Sequence, residues 1–372
     1  MNVTVLRCTR ALELLAVLVL IAAVGRASAR QGESSPQSAL PLRHQDELCR
    51  PLPPGGVCLQ LDNGKVQLLH VQGNVYMLAG TGGNIAVQIG DQSVMVVDAG
   101  VANMSDKVIS AIRALTDKPL FFIIATNMED DYIGGNARLS QAGWALPNAS
   151  NIPFGHDVSN LTGLKLPSGA AIVGHINMLD RMSAPTGQKA PVAEELWPTD
   201  TYEGDDWRLY NGESVYIYHV PAHTDGDSVV LFRGSDVICT GDLFNPLNSY
   251  PVIDLKKGGS IDGYIDGLNQ IIELMVAKEN EEGGTYVIPG HGPISDRNDV
   301  VNYRDMVTVL RARIAAMVEE GKTVEQVKAA NPTFDYDGLG NYGATKDMFI
   351  EAVYQDLSKP RNQQKSTAGG GR

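Results

Sequence analysis

The sequence predicts an α/β protein built from two strand-rich blocks, with helices between and after them. Three observations carry that prediction. Short β-branched runs punctuated by Gly and Asn follow one another from Val66 to Val97, and strand signals return from Ser214 to Cys239. Segments with a helical period separate the blocks and follow them. Glycine is plentiful, 39 residues in 372, as a loop-rich α/β chain requires.

The chain opens on a targeting segment. Arg7 and Arg10 supply a positive region, Leu14 to Val24 is an apolar run too short for a comfortable membrane span, and Ala27-Ser28-Ala29 is a small-residue cleavage site. Residues 1–29 therefore read as a signal peptide, and the mature chain is expected to be secreted or periplasmic, with no stable membrane insertion after cleavage. Glu13 beside the apolar run keeps an uncleaved anchor as the alternative. The formal net charge of −13 argues against nucleic acid or an anionic membrane as a partner and identifies no substrate. The sequence leaves the oligomeric state open. Cys8 leaves with the signal. Cys49 and Cys58 bracket a Pro-rich segment and are spaced to close a small disulfide loop, with free thiols as the alternative. Cys239 lies in an apolar run and reads as a buried hydrophobe.

Residues 30–63 are rich in Ser, Pro and Gln without a sustained period, and read as an arm or linker. Val66–Val71, Val75–Leu78, Ile85–Ile89 and Val94–Val97 then read as consecutive antiparallel strands. Asp98-Ala99-Gly100 ends the fourth. A helix follows at Ser105–Leu115, with Ser105 as its cap and Val108, Ile109, Ile112 and Leu115 on one face. Pro119–Ala125 is a buried strand. From Gln141 to Asp206 the signal is weak, apart from a short helix at Ile176–Met182. Strands return at Ser214–Val220, Ser228–Phe232 and Val237–Cys239, followed by a helix at Ile261–Val276 and a strand at Thr285–Ile288. Asp299–Glu320, Val324–Ala330 and Lys346–Leu357 read as helices, and residues 359–372 as a polar, Gly-rich, disordered tail.

Four strand ends carry side chains of the kind that bind metals or substrates. After Ala125 comes TNMEDDYIGGN, in which Asn127, Glu129, Asp130, Asp131 and Tyr132 precede a Gly-Gly turn and Asn136, a candidate helix N-cap. His223 follows the strand ending at Val220, with Asp225 and Asp227 shaping its turn. Asp242 follows the strand ending at Cys239, and His291 the strand ending at Ile288. One His behind a strand means little. Four such loops, each with His, Asp or Glu beside Gly or Pro, point to a site. Of the other histidines, His70 and His219 lie in strands and read as packed or edge-exposed. His175 stands at a helix start as a candidate substrate contact, and His156 lies in an unpatterned loop. Gly80 to Gly83 precedes a strand, so no nucleotide-phosphate cradle is expected.

These motifs resemble those of the metallo-β-lactamase-fold hydrolases, over roughly Gly64 to Leu357. The resemblance implies a four-layer αβ/βα sandwich over residues 64–298, with a helical segment at 299–358 packed on it and metals held where strand ends meet along one edge. Asp98 matches a buried Asp that orients the loops, and His223, Asp242 and His291 match later ligand positions. TNMEDDYIGGN falls on the first family motif, His-x-His-x-Asp-His-x-Gly-Gly-Asn, and departs from it. Asn127, Glu129 and Tyr132 stand at its three histidines, while Asp131 and the Gly-Gly-Asn frame remain.

The implied metal set is Glu129, Asp131, His223, Asp242 and His291, enough for one ion and poor for two. It is richer in oxygen than the family's, which shifts preference from Zn²⁺ alone toward Mn²⁺, Fe²⁺ or Mg²⁺. The expectation is an exported, mononuclear metal-dependent hydrolase acting on a small-molecule ester, thioester, lactone, amide or phosphoester. A metal-activated water oriented by Asp131, the catalytic residue, would attack. The alternative is a non-catalytic binding protein that keeps the fold with a degraded metal site, motivated by the three replaced histidines.

Overall fold

Strand direction decides where chemistry can collect, and two sheets share that task. The computed structural model describes residues 49–50, 59–60, 66–145, 169–185, 187–247, 249–277, 280, 284–336 and 343–359. Among these residues, β1 (Cys49–Arg50) and β2 (Leu59–Gln60) pair as a short antiparallel ribbon. A seven-stranded sheet runs in the order β3 (Gln67–Gln72), β4 (Val75–Ala79), β5 (Ile85–Ile89), β6 (Val94–Val97), β7 (Leu120–Ile124), β8 (Ala171–His175) and β9 (Asp200–Tyr202). A five-stranded sheet follows: β10 (Asp206–Tyr210), β11 (Glu213–His219), β12 (Ser228–Phe232), β13 (Val237–Cys239) and β14 (Tyr286–Ile288). The first sheet is antiparallel through β6 and parallel from β6 to β9. The second is antiparallel through β13, and β14 joins parallel to β13. The parallel pairs make β6 and β7 finish together, and likewise β13 and β14. β11 runs with β13 because both oppose β12.

The central strands of both sheets are covered on both faces and are apolar on both sides. In β6, Val94 and Val96 face the outer helix, while Met95 and Val97 face the second sheet. In β12, Val230 and Phe232 face the first sheet, and Val229 and Leu231 face outward. The helix Ser105–Leu115 buries Val108 and Ile112 against the first sheet. The helices Ile261–Leu274, Arg297–Glu319, Val324–Ala330 and Lys346–Leu357 bury Leu268, Leu310, Val327 and Phe349 over the second. The order is helix, sheet, sheet, helix, which is the four-layer αβ/βα sandwich expected.

Local expectations are corrected in places. β8 and β9 fall in the stretch where the pattern was weak, and β10 follows it unforeseen: β9 has only three residues, and β10 turns Trp207 and Leu209 to solvent. Ser105 is not the helix cap. A 3-10 turn, Ala102–Met104, precedes it, Met104 takes the cap position, and Ser105 Oγ donates back to Ala102 O at 2.8 Å. Asn136 lies inside its helix, behind Gly135, and donates to Leu196 O at 3.0 Å. Cys239 is buried as expected, and burial pushes its thiol well above the ordinary value. Among the described residues no helix is long and apolar enough to cross a membrane. The signal segment 1–29, nearly all of the arm 30–63, Cys58 and with it the disulfide to Cys49, His156, and the tail beyond residue 359 lie outside the described residues.

Candidate functional site

Asp98 anchors the edge. Its backbone is left-handed, with φ of 67°, and its carboxylate accepts from Thr126 N at 2.8 Å and from Thr126 Oγ1 at 3.0 Å. Burial holds its pKa well above the usual carboxylate range, although the bonds from Thr126 pull the other way. The loop after β6 is thereby fixed to the loop after β7. Two contacts then join the sheets: Ser228 N donates to Thr126 O at 2.8 Å, and Asn84 Nδ2 donates to Pro289 O and Gly292 O at 2.9 Å each.

From that frame, the loop after β7 reaches across the edge. Tyr132 is fully buried and donates its hydroxyl to Asp242 Oδ1 at 2.6 Å. Burial, then the charges of Asp242 and Asp131, hold its phenol well above the ordinary value, so it stays neutral and keeps its proton to donate. Gly290 makes room for it, since a Cβ there would fall 2.0 Å from Tyr132 Oη. Asn127 accepts from Glu129 N at 2.9 Å and donates its amide to Asp242 Oδ2 at 3.2 Å. Both oxygens of Asp242 therefore carry a protein donor.

The other acidic groups are paired as well. Glu129 Oε1 accepts from Lys257 Nζ at 2.7 Å. Burial alone would lower the Lys257 pKa, but the bond and charge of Glu129 outweigh it, and the ammonium is held above its ordinary value. Asp131 Oδ2 lies 2.9 Å from His291 Nε2. Burial works against the His291 imidazolium, and the Asp131 bond with the Asp242 charge raises it overall. His223 is 4% exposed, and among the described residues its Nδ1 has no hydrogen-bond partner; it lies 3.8 Å from Asp242 Oδ2 and 3.9 Å from Asp227 Oδ1. Burial disfavours its charged form, yet Asp227, Asp242 and Glu129 together raise its pKa. Asp227 shapes the turn as expected, accepting from Thr224 N and Oγ1, and burial pushes it up to about 6. Asp225 instead forms a two-pronged ion pair with Arg181.

The structure thus brings Glu129, Asp131, His223, Asp242 and His291 to one edge, but their lone pairs do not converge. A structural metal needs about four donors aimed at one point. Among the described residues, no group of three or more His, Cys, Asp or Glu side chains is placed to hold a metal ion. The residues present do not fit the Zn²⁺, Mn²⁺ or Fe²⁺ cofactor expected from the sequence, and the metal-dependent hydrolase reading falls with it. The physical reason is that Tyr132 and Asn127 occupy Asp242, Lys257 occupies Glu129, and His291 faces Asp131.

One residue of the site, Lys257, escaped the sequence reading. Its signal was the Lys256-Lys257 pair, the only basic residues between Arg233 and Lys278 in an acidic chain. His175 caps the helix Ile176–Met182 and stacks on His219, with ring centroids 3.6 Å apart and planes at 8°. Its Nδ1 lies 3.2 Å from Asn177 N and its Nε2 3.3 Å from Gly204 N, and since a neutral imidazole keeps one ring proton it accepts from only one of them. Burial, then His219, lowers its pKa to about 4.

Two packed sheets inside helical layers, with the candidate loops gathered along one edge, define a class of αβ/βα sandwich proteins. A profile described as "Metallo-beta-lactamase superfamily" matches residues 71–291, more than half of the chain. The chain belongs to the metallo-beta-lactamase superfamily. Among solved structures, the stereoselective inverting sec-alkylsulfatase Pisa1 from Pseudomonas sp. aligns with TM-score 0.53 and 14% identity, over 78% of this chain and 50% of that one. A double mutant of the sec-alkyl sulfatase PisA1 gives TM-score 0.55 and 15% identity over the same shares. The DIM-1 metallo-beta-lactamase aligns at TM-score 0.47 and 15% identity, over 66% of this chain and 97% of that one. The chain spans half the length of the sulfatase structures, and the likeness is one of fold.

Proposed function

We propose that this chain is a non-catalytic binding protein that keeps the metallo-β-lactamase fold around a centre closed by its own side chains. One observation carries the reading: the side chains of Asn127, Glu129, Asp131 and Tyr132 each end on a partner from the second half of the fold, and the Asn127 oxygen accepts from the loop's own backbone. Tyr132, Asn127 and Glu129 stand where the family's first motif has histidines, and in place of imidazole lone pairs they bring two hydrogen-bond donors and an ion-paired carboxylate. The ligand is a small polar molecule meeting the partly exposed rim of Glu129, Asp131, Lys257 and His291. The protein works outside the cytoplasm, secreted or periplasmic, as the signal-like segment 1–29 suggests.

The test joins elemental analysis of protein purified without added metal to a turnover panel with Zn²⁺ or Mn²⁺ supplied. The panel holds an ester, a lactone, nitrocefin and, given the sulfatase likeness, an alkyl sulfate. Sub-stoichiometric metal and no turnover are expected. Tight one-to-one metal with turnover that vanishes in Asp131→Ala and His291→Ala would overturn the reading.

A further inference from the structure

We infer that Lys257 is the resident cation of this edge, its ammonium neutralising the Glu129 carboxylate that a bound metal ion would otherwise neutralise. The inference rests on the metal-free reading above and adds the group that makes it physically possible.

The backbone sets the position of Lys257. Asp254 N donates to His223 O at 2.9 Å, Asp225 N to Lys257 O at 2.9 Å, and Ser260 N to Ala222 O at 3.0 Å. The Asp254 carboxylate accepts from Lys256 N and Lys257 N at 3.0 and 3.1 Å. The chain then reverses against His223 so closely that a Cβ at Gly259 would fall 2.1 Å from His223 O. From this fixed turn, Nζ reaches Glu129 Oε1 at 2.7 Å and Asp254 Oδ2 at 3.4 Å, spanning loops of both sheets.

The surroundings need a cation. Asp227, Asp242 and Glu129 lie around His223, whose buried Nδ1 has no hydrogen-bond partner among the described residues. Without the ammonium, Glu129 would lose its ion-pair partner in a partly buried rim, beside an Asp254 carboxylate held only by the backbone N–H groups of its own turn, and like charges there repel more strongly than in water. A lysine suits the task, because its compact charge on a flexible stem has three donors to share between two carboxylates.

The experiment compares melting of wild type, Lys257→Met, Lys257→Arg and the double variant Lys257→Met/Glu129→Gln, each in EDTA and in ZnCl₂. Lys257→Met should lower Tm in EDTA by about 3 °C or more, and Lys257→Arg should stay within about 1 °C of wild type. Adding Glu129→Gln should recover much of the loss. ZnCl₂ should raise the Tm of Lys257→Met and leave wild type unmoved, because only the variant offers released carboxylates beside the His223 nitrogen. Should Lys257→Met not fold, the Arg and double variants, which leave Glu129 compensated or uncharged, still make the comparison. If Lys257→Met melts like wild type, or loses stability that neither Glu129→Gln nor ZnCl₂ restores, the lysine is ordinary packing and the inference falls. Wild type that itself takes up zinc one to one would overturn the metal-free reading, whatever the lysine variants do.

Discussion

The two halves of the functional edge are held by different means. The loops of the second sheet are braced from within: Asp227 holds Thr224, Asp254 holds its own turn, and the 254–260 turn is stitched to the backbone around His223. The loop after β7 is held to its own half by the grip of Asp98 on Thr126 and by backbone bonds from Gly83 N to Asp131 O, Ala99 N to Tyr132 O and Gly135 N to Gly100 O, while its functional side chains end on groups across the edge. The frame of such an edge and the chemistry of its centre are therefore separable. A fold can keep the second-half imidazoles and carboxylates in place while donors from the first half convert a converging set of lone pairs into a closed hydrogen-bond network.

The sharpest way to break that comparison is to remove the junction. Asp242→Ala leaves the buried Tyr132 hydroxyl and the Asn127 amide without their acceptor, and should cost about 3 kcal/mol in urea unfolding. Asp242→Asn keeps an acceptor oxygen and should recover part of the loss. An unchanged unfolding midpoint in Asp242→Ala would mean that the halves do not depend on this contact.

A second seam between the halves is the stack of His175 on His219, and acid should open it. His175 is lowered from 6.5 to about 4, so between those values the unfolded chain binds more protons than the folded one. Its contribution is complete above the unfolded value and is lost as pH falls toward the folded one, on the order of 1–2 kcal/mol. Asp227, raised from 3.8 to about 6, acts with the opposite sign in an overlapping window, so the difference between wild type and His175→Gln is the informative quantity. Stability measured at about pH 4.5 and about pH 7.5 should fall less in the variant than in wild type. Equal losses would remove His175 from the account.

The smallest effect is expected at the rim. The Asp131 and His291 side chains are 33% and 16% exposed, so Asp131→Ala should cost under about 1 kcal/mol. A loss approaching that of Asp242→Ala would show that the rim, rather than the Tyr132–Asp242 contact, holds the halves together.

Much of the fold was legible along the chain. The strands β4 to β7 and β12 to β14, and most of the helices, follow apolar runs whose period is local, and their bounds shift by only a residue or two from the pattern. β8, β9 and β10 were not legible, because short strands and an edge strand that turns Trp207 and Leu209 outward carry no distinctive period. At the site, the positions of Glu129, Asp131, His223, Asp242 and His291 at strand ends could be read from spacing. Their partners could not.

The sequence by itself determined most strands and helices and the residue types delivered at the strand ends, since period and strand-end chemistry are properties of neighbours along the chain; the sandwich and its shared edge followed from the family resemblance. Only the tertiary structure decided what those residues do to one another. Tyr132 and Asp242 are 110 positions apart, and Glu129 and Lys257 are 128 apart. Whether a carboxylate's lone pairs face a shared centre or a donor from the opposite loop is settled by distances of a few ångströms between side chains that packing alone brings together.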